Sequence, residues 1–388
     1  MNEAARKALL PDGLRDVLPP HAAHEASVVS GLVATFAARG FERVAPPLVE
    51  FEDSLLDGAG QAMATGTFRL MDPVSQRMMG VRADMTLQIA RIATTRLSRA
   101  PRPLRLAYAG NVLRVKGTQL RPERQFVQAG VEIVGSDAPE ADAEIILLAV
   151  EALERVGVRR LSVDINLPTL VPALCRAMGI EGETHAAIRS ALDRKDAAEV
   201  AAVGGEIAPL LGALLRAAGP VDSALKALAA LDLPAAAGIE RTRLNQVVRL
   251  LREAAPNMTL TVDPVEHRGF EYQTGLSFTV FARGVRGELG RGGRYHAGRK
   301  GEPATGFSLF LDSVLRALPQ PVAGDRLYLP FGTPPASGDA MRRAGWVTVA
   351  GLASETSPAA EARRLGCTHI LSGDIAAELG GGESGSAN

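Results

Sequence analysis

Apolar and polar residues alternate along two neighbouring segments of the chain, residues 104–115 and 125–134, and the alternation predicts two β-strands. Successive side chains of a strand point to opposite faces of the sheet. In the second segment one face is wholly apolar and is predicted to join the core, with Val127, Ala129, Val131 and Ile133. The other face carries an amide and a carboxylate beside a bare backbone position, with Phe126, Gln128, Gly130, Glu132 and Val134. That face suits a small polar ligand, and a buried hydrogen-bond network is the alternative.

Further periodic patterns predict elements on both sides of this strand pair. Apolar residues at helical spacing predict helices at residues 21–39, at 82–97 starting near Asp84, and at 140–156. From about residue 168 to 256 the composition shifts to Ala and Leu, broken by Gly and Pro, which predicts a separate helical insertion. Strands are predicted again at 258–263 and 272–281, followed by glycine-rich turns at 284–293 and a helix at about 305–318.

A short region with a different pattern closes the chain. Residues 319–324, PQPVAG, resemble a linker, and a strand, a helix and a strand are predicted at 326–331, 340–344 and 347–350. The glycine- and serine-rich last ten residues are predicted to be disordered. We therefore expect a main domain at 1–324, a small α/β region at 325–378 and a tail at 379–388.

Composition excludes several classes of protein. The chain has 388 residues, of which 46% are hydrophobic and 22% charged, and its 43 basic and 43 acidic residues give a net charge of zero. A protein that grips nucleic acid usually carries a basic excess. No apolar run approaches the roughly 20 residues that cross a bilayer, and no secretory signal is evident, so a cytoplasmic protein is expected. Two cysteines, and no P-loop or HExxH motif, predict no disulfide framework, metal or cofactor.

Three further groups of residues could carry chemistry. Arg82, Asp84 and Thr86 stand at a helix start, where Asp84 either caps the helix or helps to hold an ammonium group. The loop between the two strands is basic, with Arg114, Lys116, Arg121 and Arg124, and is either simply solvated or an anion clamp. The segments RGFEYQTG and GRGGRY place glycines near polar and aromatic side chains, namely Arg268, Glu271, Tyr272, Gln273 and Tyr295. The alternative for GRGGRY is a simple turn.

Taken in order, these motifs resemble the histidyl-tRNA synthetase family over about residues 9–320. The resemblance is carried by PDGLRD, the Arg82–Thr86 cluster, the hairpin ending in RQFVQAGVEIVG, the helical insertion, RGFEYQTG and GGRYHAG. It implies an α+β fold of the class II aminoacyl-tRNA synthetase type, a mixed and mostly antiparallel sheet flanked by helices, in a homodimer. It also implies a histidine-binding site made of Asp84, Thr86, Arg114, Gln128, Glu132, Arg268, Tyr272 and Tyr295, in which Glu132 contacts the imidazole.

The chain departs from the synthetase pattern where that family handles ATP. Lys116 and Gly117 stand where an acidic and a basic residue are expected, and Phe310 and Ser313 where a small residue and an arginine are expected. Adenylyl transfer depends on positioning and charge neutralisation, so these changes predict that activation of the amino acid by ATP is lost. The region after residue 324 is also shorter than an anticodon-binding domain, which predicts no tRNA partner. Gln273, where the family often has an aromatic residue, removes ring contact from the pocket.

This combination is similar to a branch of the family, the regulatory subunits of ATP phosphoribosyltransferase. The resemblance implies a non-catalytic protein that activates a short catalytic subunit and transmits feedback inhibition by histidine in the first step of histidine biosynthesis. It implies a hetero-octamer with the catalytic subunit, built on homodimers, without tRNA or membrane. The alternatives are an active histidyl-tRNA synthetase with a shortened tail, and a synthetase-like protein that binds another small amine.

Overall fold

The computed structural model describes residues 9–56, 64–119, 121–267, 273–322 and 324–380. The chain separates into two units, Met1–Pro319 and Gln320–Asn388. The predicted tail lies outside the described residues from position 381 onward. Among the residues that the structure describes, no helix is long and apolar enough to span a bilayer.

A nine-stranded sheet forms the centre of the first unit, in the order β1-β5-β6-β12-β11-β10-β7-β9-β8. Its strands are β1 (Glu42–Arg43), β5 (Leu104–Leu113), β6 (Gln125–Val134), β7 (Leu161–Asn166), β8 (Gly219–Pro220), β9 (Thr259–Asp263), β10 (Ser277–Ala282), β11 (Gly290–Ala297) and β12 (Glu302–Phe310). Only β1 with β5 and β7 with β9 pair in parallel, so the sheet is mixed and mostly antiparallel, as the resemblance implies. A separate antiparallel sheet holds β2 (Val49–Phe51), β3 (Phe68–Met71) and β4 (Met78–Val81).

Helices cover both faces of the large sheet. The described helices of the first unit outside the insertion are α1 (His21–Ala38), α2 (Glu52–Leu55), α3 (Thr86–Thr95), α4 (Pro139–Arg155) and, later in the chain, α11 (Leu311–Arg316). Leu32 and Phe36 of α1 share one hydrophobic cluster with Val131 and Ile133 of β6, which confirms the predicted core face. Ile89 of α3 belongs to a second cluster with Tyr108, Phe126 and Tyr295 on the opposite face. The polar residues of β6 therefore lie beneath α3.

The helical insertion shares its core with the sheet. Its helices are α5 (Leu170–Ala177), α6 (Gly182–Asp193), α7 (Ala197–Val203), α8 (Ala208–Arg216), α9 (Val221–Ala229) and α10 (Ala235–Ala254), with a short 3₁₀ turn at Gly205–Ile207. Ile188, Leu211 and Leu244 are fully buried in the same hydrophobic cluster as Val163 and Ile165 of β7. The insertion is therefore packed onto the main domain.

Two predicted elements are wrong. Residues 290–293, predicted as part of a glycine-rich turn, begin β11, and residues 305–310, predicted as helix, complete β12. The glycines serve close packing of neighbouring strands, because a β-carbon at Gly292 would overlap the carbonyl oxygen of Gly306. The β12 sequence is buried on both faces from Ala304 onward and runs directly into the helix that starts at Leu311, so its pattern does not separate strand from helix.

The second unit is a four-stranded sheet with a helix packed on each face. Its order is β14-β13-β15-β16, from β13 (Arg326–Leu329), α12 (Pro335–Arg343), β14 (Val347–Ala350), α13 (Pro358–Arg364), β15 (His369–Ser372) and β16 (Ile375–Glu378). Met341 of α12 packs against Leu327 and Leu329 on one face, and Ala362 of α13 packs with Tyr328 on the other.

Candidate ligand site

The site lies where β5, β6 and β12 run side by side under α3. The antiparallel register sets Gln128 opposite Gly110 and Phe310, and Glu132 opposite Leu106 and Gly306. Gly130 separates Gln128 from Glu132 on the same face of β6. A β-carbon at Gly130 would overlap the carbonyl oxygen of Phe307 and would approach the Tyr108 hydroxyl to 2.6 Å, so glycine makes room for that hydroxyl.

Gln128 is buried and its amide is fixed by three partners. Its Oε1 accepts a hydrogen bond of 2.9 Å from the backbone N–H of Met85, which can only donate. The Nε2 group therefore faces the other way, and it donates to Asp84 Oδ2 at 2.9 Å and to Ser308 Oγ at 2.6 Å. The amide links the start of α3 to β12.

Asp84 contacts both the helix start and the strand. Its Oδ1 accepts a hydrogen bond of 2.7 Å from the backbone N–H of Thr86, as a capping residue would, while Oδ2 accepts from Gln128. The Thr86 hydroxyl lies 3.3 Å from the hydroxyl of Tyr108. Arg82 faces away from this group, because its buried guanidinium donates to the carbonyl oxygens of Asn111 and Pro46.

Glu132 is a fully buried carboxyl group. Burial raises its pKa to about 8, and the Asp84 carboxylate adds to the shift, while hydrogen bonds from Tyr295, Tyr108 and Thr86 oppose it. The Tyr108 hydroxyl donates to Oε1 at 3.2 Å. A β-carbon at Gly306 would overlap the carboxyl group, so the opposite strand approaches closely only because that residue is glycine. Near neutral pH this group holds a proton.

Arg114 brings a cation to the end of β5. Its guanidinium lies over the rings of Phe126 and Phe310, at 4.9 and 5.7 Å from their centroids. Burial, and then the neighbouring Arg121, lower the pKa of Arg114 to about 10, while Asp84 opposes the shift. An arginine whose charge is disfavoured by its surroundings is stabilised by an anionic ligand.

The basic loop is not uniformly solvated. Lys116 is exposed, whereas Arg121 is buried and donates two hydrogen bonds, of 3.1 and 3.2 Å, to the carboxylate of Asp312. The Arg121 guanidinium also stacks 3.8 Å from the centroid of the Phe310 ring. The alternative of a solvated loop is therefore wrong for Arg121, which pairs with a carboxylate 191 residues further along the chain.

Two of the residues that replace the ATP-handling set, Phe310 and Ser313, are packed into the protein, whereas Lys116 and Gly117 are exposed. Phe310 meets Phe126 edge to face, with 6.0 Å between ring centroids. Ser313 is fully buried and accepts a hydrogen bond of 2.9 Å from Arg316. The aromatic faces at this end of the site are covered by Arg121 of the chain itself.

The structure brings together six of the eight residues predicted to bind a ligand, Asp84, Thr86, Arg114, Gln128, Glu132 and Tyr295. Arg268 and Tyr272, with Glu271, lie outside the described residues. Sequence reasoning missed Tyr108 and Ser308, which contact the group from the two flanking strands. Tyr108 could have been found from the strand register, since a hairpin of β5 and β6 sets it opposite Gly130. Among the described ranges, no group of His, Cys, Asp and Glu side chains could hold a metal ion.

Comparison with known proteins identifies relatives of two kinds. The histidyl-tRNA synthetase family model matches residues 13–314. A protein from Paramagnetospirillum magneticum named ATP phosphoribosyltransferase regulatory subunit is 61% identical over 379 residues, which cover 98% of this chain and all of that one.

Solved structures have the same fold. An ATP phosphoribosyltransferase regulatory subunit/histidyl-tRNA synthetase from Bacillus halodurans superposes with a TM-score of 0.79 at 24% identity, covering 92% of this chain and 96% of that one. The ATP phosphoribosyl transferase (HisG:HisZ) complex from Thermotoga maritima contains a chain that matches with a TM-score of 0.59 at 20% identity, covering 74% of this chain and 97% of that one.

Proposed function

This chain belongs to the family of ATP phosphoribosyltransferase regulatory subunits, and we propose that it is the non-catalytic partner that a short phosphoribosyltransferase subunit needs for activity. The observation that carries the proposal is the 61% identity along the whole chain to a protein of that name. The reaction concerned is the first step of histidine biosynthesis. The chain itself performs no transfer reaction.

Histidine is the effector that the site supports best. The α-amino group of histidine needs a hydrogen-bond acceptor, its carboxylate needs a cation, and its imidazole needs a buried polar partner. Asp84, Arg114 and Glu132 offer these three from one face of the sheet and its covering helix. We propose that histidine bound here transmits feedback inhibition to the catalytic subunit, with Thr86, Gln128 and Tyr295 in supporting contacts. The family resemblance adds Arg268 and Tyr272 to the proposed set of histidine-binding residues.

The proposed assembly is a cytoplasmic hetero-octamer with four copies of each subunit, built on homodimers of this chain. The complex from Thermotoga maritima supports a catalytic partner, because one of its chains has the fold of this one. No tRNA takes part, since the second unit has only four strands and two helices among its described residues and the whole chain carries no basic excess.

Reconstitution with the short catalytic subunit tests the proposal. The purified chain is expected to raise phosphoribosyl transfer, and histidine is expected to suppress the raised rate. Glu132→Ala and Arg114→Ala are expected to weaken suppression by about tenfold or more in histidine concentration, since the first removes the buried hydrogen-bond partner of the imidazole and the second removes the cation that meets the carboxylate. Glu140→Ala and Arg249→Ala, at exposed positions, are the matched controls and should leave suppression unchanged. A rate of phosphoribosyl transfer that does not change when this chain is added to the catalytic subunit would refute the proposal.

ATP–pyrophosphate exchange addresses the synthetase alternative. An active synthetase exchanges pyrophosphate into ATP in the presence of histidine, whereas the regulatory subunit is expected to show no exchange above background. The expectation follows from the charges, because Arg121 is already paired with Asp312 and Ser313 carries no cation. Histidine-dependent exchange by the purified chain would favour the synthetase.

A further inference from the structure

A serine hydroxyl occupies the centre of the site, between its two acidic groups. Ser308 lies on β12 and is buried. Its Oγ is 2.6 Å from Gln128 Nε2 and 2.9 Å from the Tyr108 hydroxyl. Gln128 also bonds to Asp84, and Tyr108 also bonds to Glu132. Five polar groups thus form one continuous chain from Asp84 to Glu132.

The direction of each hydrogen bond in this chain follows from counting protons. The Met85 N–H fixes the Gln128 carbonyl, so both amide hydrogens point to Asp84 and Ser308. Ser308 Oγ accepts from the amide and has a single proton of its own. The oxygen that this proton can reach is the Tyr108 hydroxyl. Ser308 therefore donates to Tyr108.

Tyr108 is the variable member of the chain. It too has one proton, and three oxygens that can accept it lie at nearly equal distances, Glu132 Oε1 at 3.2 Å, the Phe307 carbonyl at 3.3 Å and the Thr86 hydroxyl at 3.3 Å. A carboxylate is the stronger acceptor when it is charged. When Glu132 is protonated, the Tyr108 proton can turn to Phe307 and the phenol oxygen can accept instead. The state of Glu132 is thus transmitted to Ser308 and Gln128.

We propose that Ser308 is a positioning residue that couples the amine-binding half of the site to the imidazole-binding half. A ligand that carries both groups then binds more tightly than the separate contributions of the two groups would give. The inference rests on the proposed function, because it takes Asp84 as the amine contact and Glu132 as the imidazole contact. Hydrogen bonds in a buried chain polarise one another, so a change at one end strengthens or weakens the contact at the other. Without the Ser308 hydroxyl this hydrogen-bonded route is interrupted, and only the direct interaction of Asp84 with Glu132 and the contacts of Thr86 connect the two halves.

Two probe ligands measure this coupling. Histidine carries both groups, and imidazolepropionate lacks the amine. Calorimetric titration of the full chain gives the ratio of the two affinities. In Ser308→Ala, histidine affinity is expected to fall about tenfold and the ratio is expected to shrink about fivefold, within the usual range for coupled sites. Imidazolepropionate affinity is expected to change little.

The controls separate coupling from a structural role. A serine that only supports the fold would weaken both ligands alike and leave the ratio unchanged, which would overturn the inference. Ser308→Thr keeps the hydroxyl and is expected to restore the ratio. Ser277→Ala removes a fully buried serine of the same sheet and is expected to change neither affinity.

The outcomes of these titrations also distinguish a failure of the coupling from a failure of the proposed function on which it rests. Failure of the unaltered chain to bind histidine would refute the proposed role of histidine as effector and the inference together. Histidine binding by the unaltered chain, with an unchanged ratio in Ser308→Ala, would refute the coupling alone. Circular dichroism of each variant establishes that the fold is kept.

Discussion

The ion pair of Arg121 and Asp312 offers a sharp test of how the hairpin loop is held. Both side chains are almost fully buried, at 6% and 2% exposure. Two N–H donors of Arg121 meet the two carboxylate oxygens of Asp312. The pair connects the loop between β5 and β6 to α11, so its loss should lower the free energy of unfolding of the first unit. The perturbations are Arg121→Met, Asp312→Leu and their combination.

The cost of each change follows from the partner left behind. Arg121→Met leaves the Asp312 carboxylate with Arg316, 3.8 Å away and partly exposed, so the expected loss is about 3–5 kcal/mol. Asp312→Leu leaves the guanidinium with Glu288 at 3.7 Å and the Phe310 ring, so a loss of about 2–3 kcal/mol is expected. The double variant leaves no uncompensated charge in the pair and should lie within about 1 kcal/mol of the unaltered protein.

Urea unfolding followed by circular dichroism measures these differences. Trp346 is the sole tryptophan and belongs to the second unit, so its fluorescence reports on that unit and is analysed separately. Arg249→Met is the matched control, because Arg249 is 60% exposed in its pair with Glu253 and should contribute less than about 1 kcal/mol. A double variant as unstable as the sum of the two single variants would refute the reasoning.

Two further predictions concern Glu132. The pKa of Glu132 is about 8, and that of a free imidazole is about 6.5. The complex with histidine should therefore hold one proton between the carboxyl group and the imidazole. The affinity for histidine, measured by calorimetry, should then be constant between about pH 6.5 and pH 8 and should fall below and above this range. An affinity that stays level well above pH 8 would contradict the shared proton. Because the folded pKa is raised from 4.5, the stability associated with the protonated group is fully present below pH 4.5 and is lost as pH rises through about 8. Glu132→Gln does not titrate, so its unfolding free energy relative to the unaltered chain should rise by about 2–4 kcal/mol from pH 5 to pH 8. Urea titrations at several pH values measure this difference, and a constant difference would refute the buried-carboxyl assignment.

Local patterns were sufficient where apolar residues alternate with polar or small ones along a strand. The bounds of β6 are those predicted from alternation, and β14 likewise has the predicted bounds. β11 was missed because its glycines were interpreted as turn residues, whereas Gly290 and Gly292 serve close contact between strands. β12 was missed because it runs directly into α11 and was interpreted as the start of that helix. Composition alone does not distinguish a glycine that makes a turn from one that admits a neighbouring carbonyl oxygen.

The candidate site shows the same limit at the level of single residues. Gln128 and Glu132 were identifiable because two polar residues in an apolar strand need partners. The partners were not identifiable, because Ser308 reaches Gln128 across 180 residues of sequence. Arg121 was ambiguous for the same reason. The sequence of a loop does not show whether its arginine pairs with a carboxylate that is distant in the chain. That pairing becomes visible only when the strand order is known.

The charge balance of the site favours the proposed amino acid ligand over a nucleotide. The Asp84 carboxylate and the Arg114 guanidinium supply one charge of each sign, and Glu132 is neutral near pH 7 because burial raises its pKa to about 8. A zwitterion with a neutral imidazole matches that arrangement without leaving an unpaired charge. A triphosphate would bring several negative charges towards Arg114, while Arg121 is already neutralised by Asp312 and Glu288. Because an uncompensated buried charge costs several kcal/mol, this arrangement disfavours a triphosphate and is compatible with the proposed binding of histidine.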